Sequence, residues 1–203
     1  MNIISRPINI LTRPKAELAA AEAEPASTGS LITYAAILGI AIIVGALLNG
    51  LMVGGRYFAG SFMVSAIVTG LLAFAITIGL LLLVSVIANA LAPNFGGISN
   101  SLSAMKMVIY AATPVLLVGL LQFLPIALYI LLSLAAFGYA GYLLYLGSIQ
   151  LMKVPAASAA GFTAVVMVIW IVLSMIVSLV LVGVLLSVFI GSAASGLSSG
   201  RYY

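Results

Sequence analysis

Residues 31–52 read LITYAAILGIAIIVGALLNGLM, an apolar run of 22 residues without a single charged side chain. At 1.5 Å per residue, an α-helix of this length measures about 33 Å, which covers the ~30 Å hydrocarbon core of a bilayer. The run therefore predicts a transmembrane helix, and comparable runs follow it along the rest of the chain.

Charged residues are scarce and unevenly distributed. Of 203 residues, 65% are apolar and 5% are charged, against roughly 25% charged in an ordinary soluble domain. All three carboxylates and three of the seven cations precede Pro25, and only Arg56, Lys106, Lys153 and Arg201 lie beyond it. This distribution predicts an all-α, polytopic integral membrane protein whose polar segment is N-terminal.

A membrane domain over residues 31–190 is predicted to contain five spans, at about 31–52, 62–91, 103–123, 126–149 and 161–190. A third span that began at Pro114 would have about 11 residues before Pro125 and measure about 16 Å, too short to cross. Pro114 therefore lies inside the span and predicts a kink. Lys106 lies one turn from the end, where its amine can extend to the headgroups. A re-entrant hairpin in place of the third span is the alternative, and it lowers the count to four.

The polar segment, residues 1–30, is predicted to lie on the cytoplasmic side. Between Pro14 and Pro25 the sequence is rich in strong helix formers, which predicts a short helix that ends before Pro25. Upstream, apolar residues alternate with two arginines, a mixture typical of a segment on the membrane surface; a disordered tail is the alternative. With five spans, five cations lie on the N-terminal side and two on the other, in agreement with the positive-inside rule. Residues 191–203 are predicted to form a Gly/Ser-rich tail.

The sequence lacks the residue types that most often carry catalysis or bind metals. It contains no Cys, His or Asp, which excludes a Ser-His-Asp triad, an aspartyl dyad and a thiolate or imidazole metal site. No carboxylate lies in a predicted span, which disfavours a proton- or cation-coupled transporter. Ser103 and Lys106 match the S-x-x-K pattern of serine acyl enzymes, but the companion S-D-N and K-T-G signatures are absent. We predict no catalytic, cofactor-binding or metal-binding residue, and no cofactor.

Two patterns along the spans favour close helix packing. Tyr139, Tyr142 and Tyr145 recur every three residues in the fourth span; they predict helix packing or an interfacial belt, or alternatively the lining of a cavity. Gly50 and Gly54 form a GxxxG match, which permits close approach of helices within the monomer or between copies.

Several short motifs occur in a fixed order relative to the spans, and together they resemble the bacterial branch of the YIP family, the Ypt/Rab-interacting proteins. They are Leu11-Thr-Arg-Pro-Lys15, Glu24-Pro25, Leu91-Ala-Pro-Asn-Phe-Gly-Gly97, Tyr110-Ala-Ala-Thr-Pro114, Leu151-Met-Lys-Val-Pro155 and Ala160-Gly-Phe-Thr163. The resemblance implies five spans and a cytoplasmic N-terminus. Eukaryotic relatives act in vesicle trafficking and bind prenylated Rab GTPases through a much longer N-terminal region. No Rab-contact residue carries over to this chain.

We therefore expect a non-enzymatic scaffold or adaptor of the plasma (inner) membrane, which shapes lipid or organises other membrane proteins. The alternative is a passive channel or permease for a small solute, bordered by the third span and by Tyr142. A third, enzymatic interpretation rests only on Ser103 and Lys106. The expected partners are membrane lipids, with other membrane proteins or a second copy of the chain as further candidates. Nucleic acid is not expected, because the cations beyond the N-terminal segment are widely spaced.

Overall fold

The computed structural model describes the backbone of residues 5–54 and 59–199 and the side chains of residues 5–52 and 66–183. In this part of the chain every regular element is a helix. The α-helices are α1 (Ser5–Thr12), α2 (Pro14–Ala23), α3 (Thr28–Gly54), α4 (Ala59–Leu91), α5 (Ser101–Ala111), α6 (Thr113–Val118), α7 (Ile126–Gln150) and α8 (Ala156–Ser199). Short 3₁₀ turns follow α4 and α6, at Ala92–Phe95 and Gly119–Phe123.

Five segments of the described residues are long and apolar enough to cross a bilayer, as the sequence predicts. They are Thr28–Met52, Ala66–Phe95, Ser101–Phe123, Ile126–Gln150 and Ala156–Gly183. The all-α, five-span architecture is thus confirmed. Residues 55–58, in the connection between the first two predicted spans, lie outside the described residues, as does the side-chain environment of the GxxxG match at Gly54.

The chain divides into two compact units, residues 1–167 and 168–203. The first contains α1 to α7 and the beginning of α8. The second is the remainder of α8, which continues to Ser199 through most of the stretch predicted as a Gly/Ser-rich tail.

The third span is the centre of the first unit. Its most apolar window is 72% buried, against 11 to 33% for the other four spans. The helix is interrupted at Ala112, between α5 and α6, and Pro114 lies in the first turn of α6. A proline there removes no helical hydrogen bond, because the first N–H groups of a helix have no acceptor within it. The interruption at Ala112 lies next to Pro114, where the sequence predicts a kink.

Polar side chains near the span ends bond to other parts of the protein. Gln122 Nε2 donates to the carbonyls of Ile42 at 3.2 Å and Gly119 at 2.7 Å, which joins the third span to α3. Asn89 accepts from the Ser99 hydroxyl at 3.2 Å and so fastens the end of α4 to the next connection. Asn100 caps α5, because its side-chain oxygen accepts from the Ser103 N–H at 3.0 Å, as is typical of asparagine at the start of a helix.

Candidate functional site

The N-terminal helices fold back along the bundle. The Tyr139 hydroxyl on α7 donates to the carbonyls of Ile10 at 3.2 Å and Leu11 at 3.0 Å. Further along, Gln150 Nε2 donates to the Lys15 carbonyl at 3.3 Å, and Leu18 is 1% exposed. The short helix between Pro14 and Pro25 is confirmed as α2, and the disordered-tail alternative is wrong for the described part of this segment. We call α1 and α2, residues 5–23, the N-terminal hairpin.

Arg6 is the electrostatic centre of the hairpin. It is 6% exposed, and its Nε donates to Glu17 Oε1 at 3.0 Å. Nη2 forms an ion pair with Glu24, and Nη1 donates to the Tyr110 hydroxyl at 2.6 Å. Burial lowers the pKa of Arg6, but the Glu24 carboxylate and Tyr110 together raise it by more, so the pKa lies above its ordinary value. Arg6 thereby links the hairpin to the third span with a permanent charge.

Lys106 does not extend outward from the bundle, as the sequence predicts, but turns inward to the hairpin. The side chain is buried, and Nζ donates to the carbonyls of Ala21 at 2.8 Å and Glu24 at 2.7 Å. Carbonyls at the C-terminal end of a helix lack intrahelical partners and carry partial negative charge, so they attract a lysine amine. The docked hairpin presents these acceptors to Lys106. Ser103, the other residue of the S-x-x-K match, lies at the capped start of α5.

Two connections between spans lie beside the hairpin. The first, residues 92–100, follows α4, and the second, residues 151–155, follows α7. The Ile98 N–H donates to the Met152 carbonyl at 2.8 Å, and Lys153 forms an ion pair with Glu22 on α2. Phe95 and Phe162 meet edge to face, with ring centroids 5.6 Å apart. We call the hairpin and these two connections the polar platform.

Glycine permits the close approach of the two connections. A Cβ at Gly97 would lie 2.7 Å from Val154 Cγ2 and 3.0 Å from the Met152 carbonyl oxygen. Gly96 adopts a φ of 76°, a left-handed conformation that favours glycine. The two connections can therefore pack closely because position 97 has no side chain.

A cavity of about 450 Å³ opens between the hairpin and the beginning of α3. Its polar lining comprises Arg6, Glu24, Ser27, Ser30, Lys106 and Tyr110. Ser27 and Ser30 cap α3 reciprocally, because each hydroxyl oxygen accepts from the other residue's N–H at 3.1 Å. This capping box sets the N-terminus of α3 at the cavity wall.

A family model described as the Yip1 domain matches residues 8–178. The chain belongs to the Yip1 domain family. The matched region thus begins within α1, after Arg6, and includes the rest of the N-terminal hairpin, the four complete spans that follow and about the first half of α8. No curated protein and no solved structure matches the chain significantly.

The motifs of the sequence resemblance lie far apart in the chain, but most of them meet at the polar platform of this Yip1 domain. Glu24 contacts Arg6, Tyr110 contacts the same arginine, and Gly97 faces Val154. Sequence reasoning missed the cluster of Arg6, Glu17, Glu24 and Tyr110. Its one available signal was the confinement of every carboxylate to the few residues before the first span.

The tyrosine pattern of the fourth span does not face one cavity. Tyr139 turns to the hairpin, and Tyr142 is 43% exposed. Their ring centroids are 5.8 Å apart. Among the nearby small residues, a Cβ at Gly138 would meet no atom within 4 Å, whereas one at Gly141 would lie 3.2 Å from Met167 Cε. Packing therefore accounts for Tyr139 and Gly141.

Proposed function

We propose that this Yip1 domain is a non-enzymatic membrane adaptor that presents its polar platform to partners on the cytoplasmic side. The observation that carries the proposal is the attachment of the hairpin to several parts of the bundle. Lys106 and Tyr110 hold it from the third span, Tyr139 and Gln150 from the fourth, and Lys153 from the connection after it. A surface ordered before binding costs less entropy to engage than a flexible tail.

The outer surface of the hairpin supports a recognition role. Ile8 and Leu11 are 58% and 39% exposed, next to the exposed cations Arg13 and Lys15. Apolar side chains beside cations suit a partner helix or the headgroup region of the bilayer. Ile10 lies on the opposite surface and is fully buried, so the two surfaces of α1 have separate roles.

Charge distribution supports a cytoplasmic platform in the plasma (inner) membrane. Five cations belong to the hairpin or contact it from the bundle, namely Arg6, Arg13, Lys15, Lys106 and Lys153. Their position on the N-terminal side of the spans agrees with the excess of Lys and Arg in cytoplasmic loops.

Single cysteines at Ala26, Asn94 and Ile126 test this orientation. In intact cells we expect a membrane-impermeant maleimide to label the cysteine at position 126 alone, because it is the one of these three positions that lies at the far end of the spans. The cysteines at positions 26 and 94 should react only in inverted vesicles. Labelling of all three from one side would contradict the topology.

Photo-crosslinking in living cells tests the adaptor role. We expect probes at Ile8, Leu11 and Ala20, which are exposed, to capture the same protein partner in independent preparations. A probe at Leu18 is the matched control, because this buried position should give only intramolecular products. Lipid adducts alone from the three exposed probes would contradict a protein adaptor and favour the channel alternative, to be tested by solute flux in proteoliposomes.

A further inference from the structure

The third span consists of two halves with separate polar attachments. α5 ends before Ala112 and is bound to the N-terminal hairpin, because Arg6 Nη1 donates to the Tyr110 hydroxyl at 2.6 Å. α6 and the 3₁₀ turn after it are bound to α3, because Gln122 donates to the Ile42 carbonyl at 3.2 Å. The helix is interrupted between these attachments, so its two halves can change their angle at Ala112.

Tyr34 of α3 contacts both halves at the interruption. Its hydroxyl lies 2.9 Å from Thr113 Oγ1, in the first residue of α6. Its ring meets that of Tyr110, near the end of α5, edge to face, with centroids 5.4 Å apart and an interplanar angle of 89°. Hydrogen bonds and edge-to-face ring contacts both depend on direction. Tyr34 therefore holds α5 and α6 in one relative orientation.

Arg6, Tyr110, Tyr34 and Thr113 form one buried set of successive contacts, which we call the coupling series. Arg6 is 6% exposed, and the other three residues are at most 1% exposed. A close-packed interior leaves no free volume in which a large ring can shift alone. A displacement of Tyr110 therefore changes the position of Tyr34, and through it the geometry at Thr113.

The hairpin is joined to α3 by a connection that can act as a hinge. Residues 24–27 are not helical, and they line the cavity of about 450 Å³. Hinge motions are commonly absorbed by a few residues at the ends of helices. The ion pair of Lys153 with Glu22 adds little resistance, because both side chains are more than 40% exposed and solvent screens them. Resistance to release therefore lies mainly in the buried contacts of Arg6 and Lys106.

We propose that the docked hairpin sets the angle of the third span at Ala112, and that the coupling series transmits release of the hairpin into the membrane domain. When Arg6 withdraws from Tyr110, the Tyr110 ring shifts, Tyr34 loses its edge-to-face contact, and α6 moves relative to α5. A partner that displaces the hairpin would thereby alter the interior of the bundle. The coupling does not rest on the adaptor role, because its test uses no partner, so the two proposals can fail separately.

Cysteine labelling of the full chain in lipid nanodiscs tests the coupling. The sequence contains no Cys, so Leu18→Cys supplies one reporter, whose rate of reaction with maleimide follows the released population of the hairpin. Coupling is reciprocal, so a change in the third span must alter docking of the hairpin. Thr113→Val removes the hydroxyl that bonds to Tyr34, and we expect the rate to rise about two- to ten-fold, the range of one buried hydrogen bond. Tyr34→Phe should have the same effect.

A matched control and a double variant complete this test. Ser85→Ala removes a buried hydroxyl that bonds to the Leu81 carbonyl within α4, and it should leave the rate unchanged. In a chain that already contains Arg6→Met, Thr113→Val should have no further effect, because the link to the hairpin is broken. An unchanged rate in Thr113→Val would overturn the coupling. The same increase with and without Arg6 would also overturn it, and a general folding defect gives that second result.

Fluorine NMR tests transmission in the opposite direction, from the hairpin to the span. A single 3-fluorotyrosine at position 34 should give one resonance in the otherwise unchanged chain. In Arg6→Met we expect a shifted or second resonance, because the ring current of Tyr110 at Tyr34 changes when Tyr110 moves. Arg13→Met, at an exposed position of the same hairpin, is the control and should give the original resonance. An unchanged resonance in Arg6→Met would overturn the proposal, whatever the labelling rate at position 18.

Discussion

Replacing Arg6 with methionine is expected to release the N-terminal hairpin from the bundle. The substitution removes the guanidinium that bonds to both Glu17 and Glu24, whose side chains are 14% and 29% exposed. Removing one partner of a buried ion pair costs roughly 3 to 5 kcal/mol, and partial solvation of the carboxylates places this case near 3 kcal/mol. The undocked population should then rise about a hundred-fold.

Cysteine reactivity measures this release. A cysteine at Leu18, which is 1% exposed in the docked hairpin, should react with maleimide about a hundred-fold faster when Arg6→Met is added, if undocking limits the reaction. Arg6→Lys should give an intermediate rate, since lysine keeps the charge but cannot bond several groups in one plane. Arg13→Met, at an exposed position, is the control and should change little. An unchanged rate in Arg6→Met would show that the cluster does not hold the hairpin.

Replacing Gly45 with alanine is expected to destabilise the membrane domain itself. A Cβ at this position would lie 2.1 Å from the Gly119 carbonyl oxygen and 3.0 Å from that of Leu120. Both atoms belong to the backbone of the 3₁₀ turn that Gln122 bonds to α3. A rotamer change therefore cannot relieve the overlap. Overpacking typically costs about 1 to 3 kcal/mol, and we expect a value near the upper end.

Gly79→Ala is the matched control for Gly45→Ala. A Cβ at Gly79 would meet no atom within 4 Å, and alanine is favoured over glycine in a helix by about 1 kcal/mol. In a titration with sodium dodecyl sulfate, Gly45→Ala should unfold at a lower detergent fraction than wild type, and Gly79→Ala at the same fraction or a higher one. Equal stability of the two variants would mean that α3 and the third span can separate at little cost.

Local sequence rules account for much of the fold. Apolar runs of sufficient length produce five spans because unpaired backbone groups are too costly in hydrocarbon, which leaves the helix as the available conformation for such runs. Pro14 and Pro25 flank α2, Asn100 caps α5, and Pro114 coincides with a break in the third span. Each of these outcomes depends on residues within a few positions of one another, so the sequence contains the necessary information.

The candidate site follows different rules. Arg6 bonds to Tyr110 across 104 positions, and Lys106 bonds to Ala21 across 85. Gln122 reaches a carbonyl 80 residues away. A hydropathy argument considers only lipid and water as surroundings, so it predicts that a lysine near a span end contacts the headgroups. It cannot predict that the lysine bonds to carbonyls at the end of a helix from another part of the chain.

The amino-acid sequence by itself determined that this Yip1 domain is helical, spans the membrane five times and concentrates its carboxylates before the first span, because these properties depend on local composition and on the bilayer as solvent. Only the tertiary structure decided that the N-terminal hairpin docks on the bundle, that Arg6 and Lys106 turn inward, and that a cavity opens between the hairpin and α3. Those features depend on which distant groups meet, and a buried charge takes the orientation that supplies its hydrogen-bond partners.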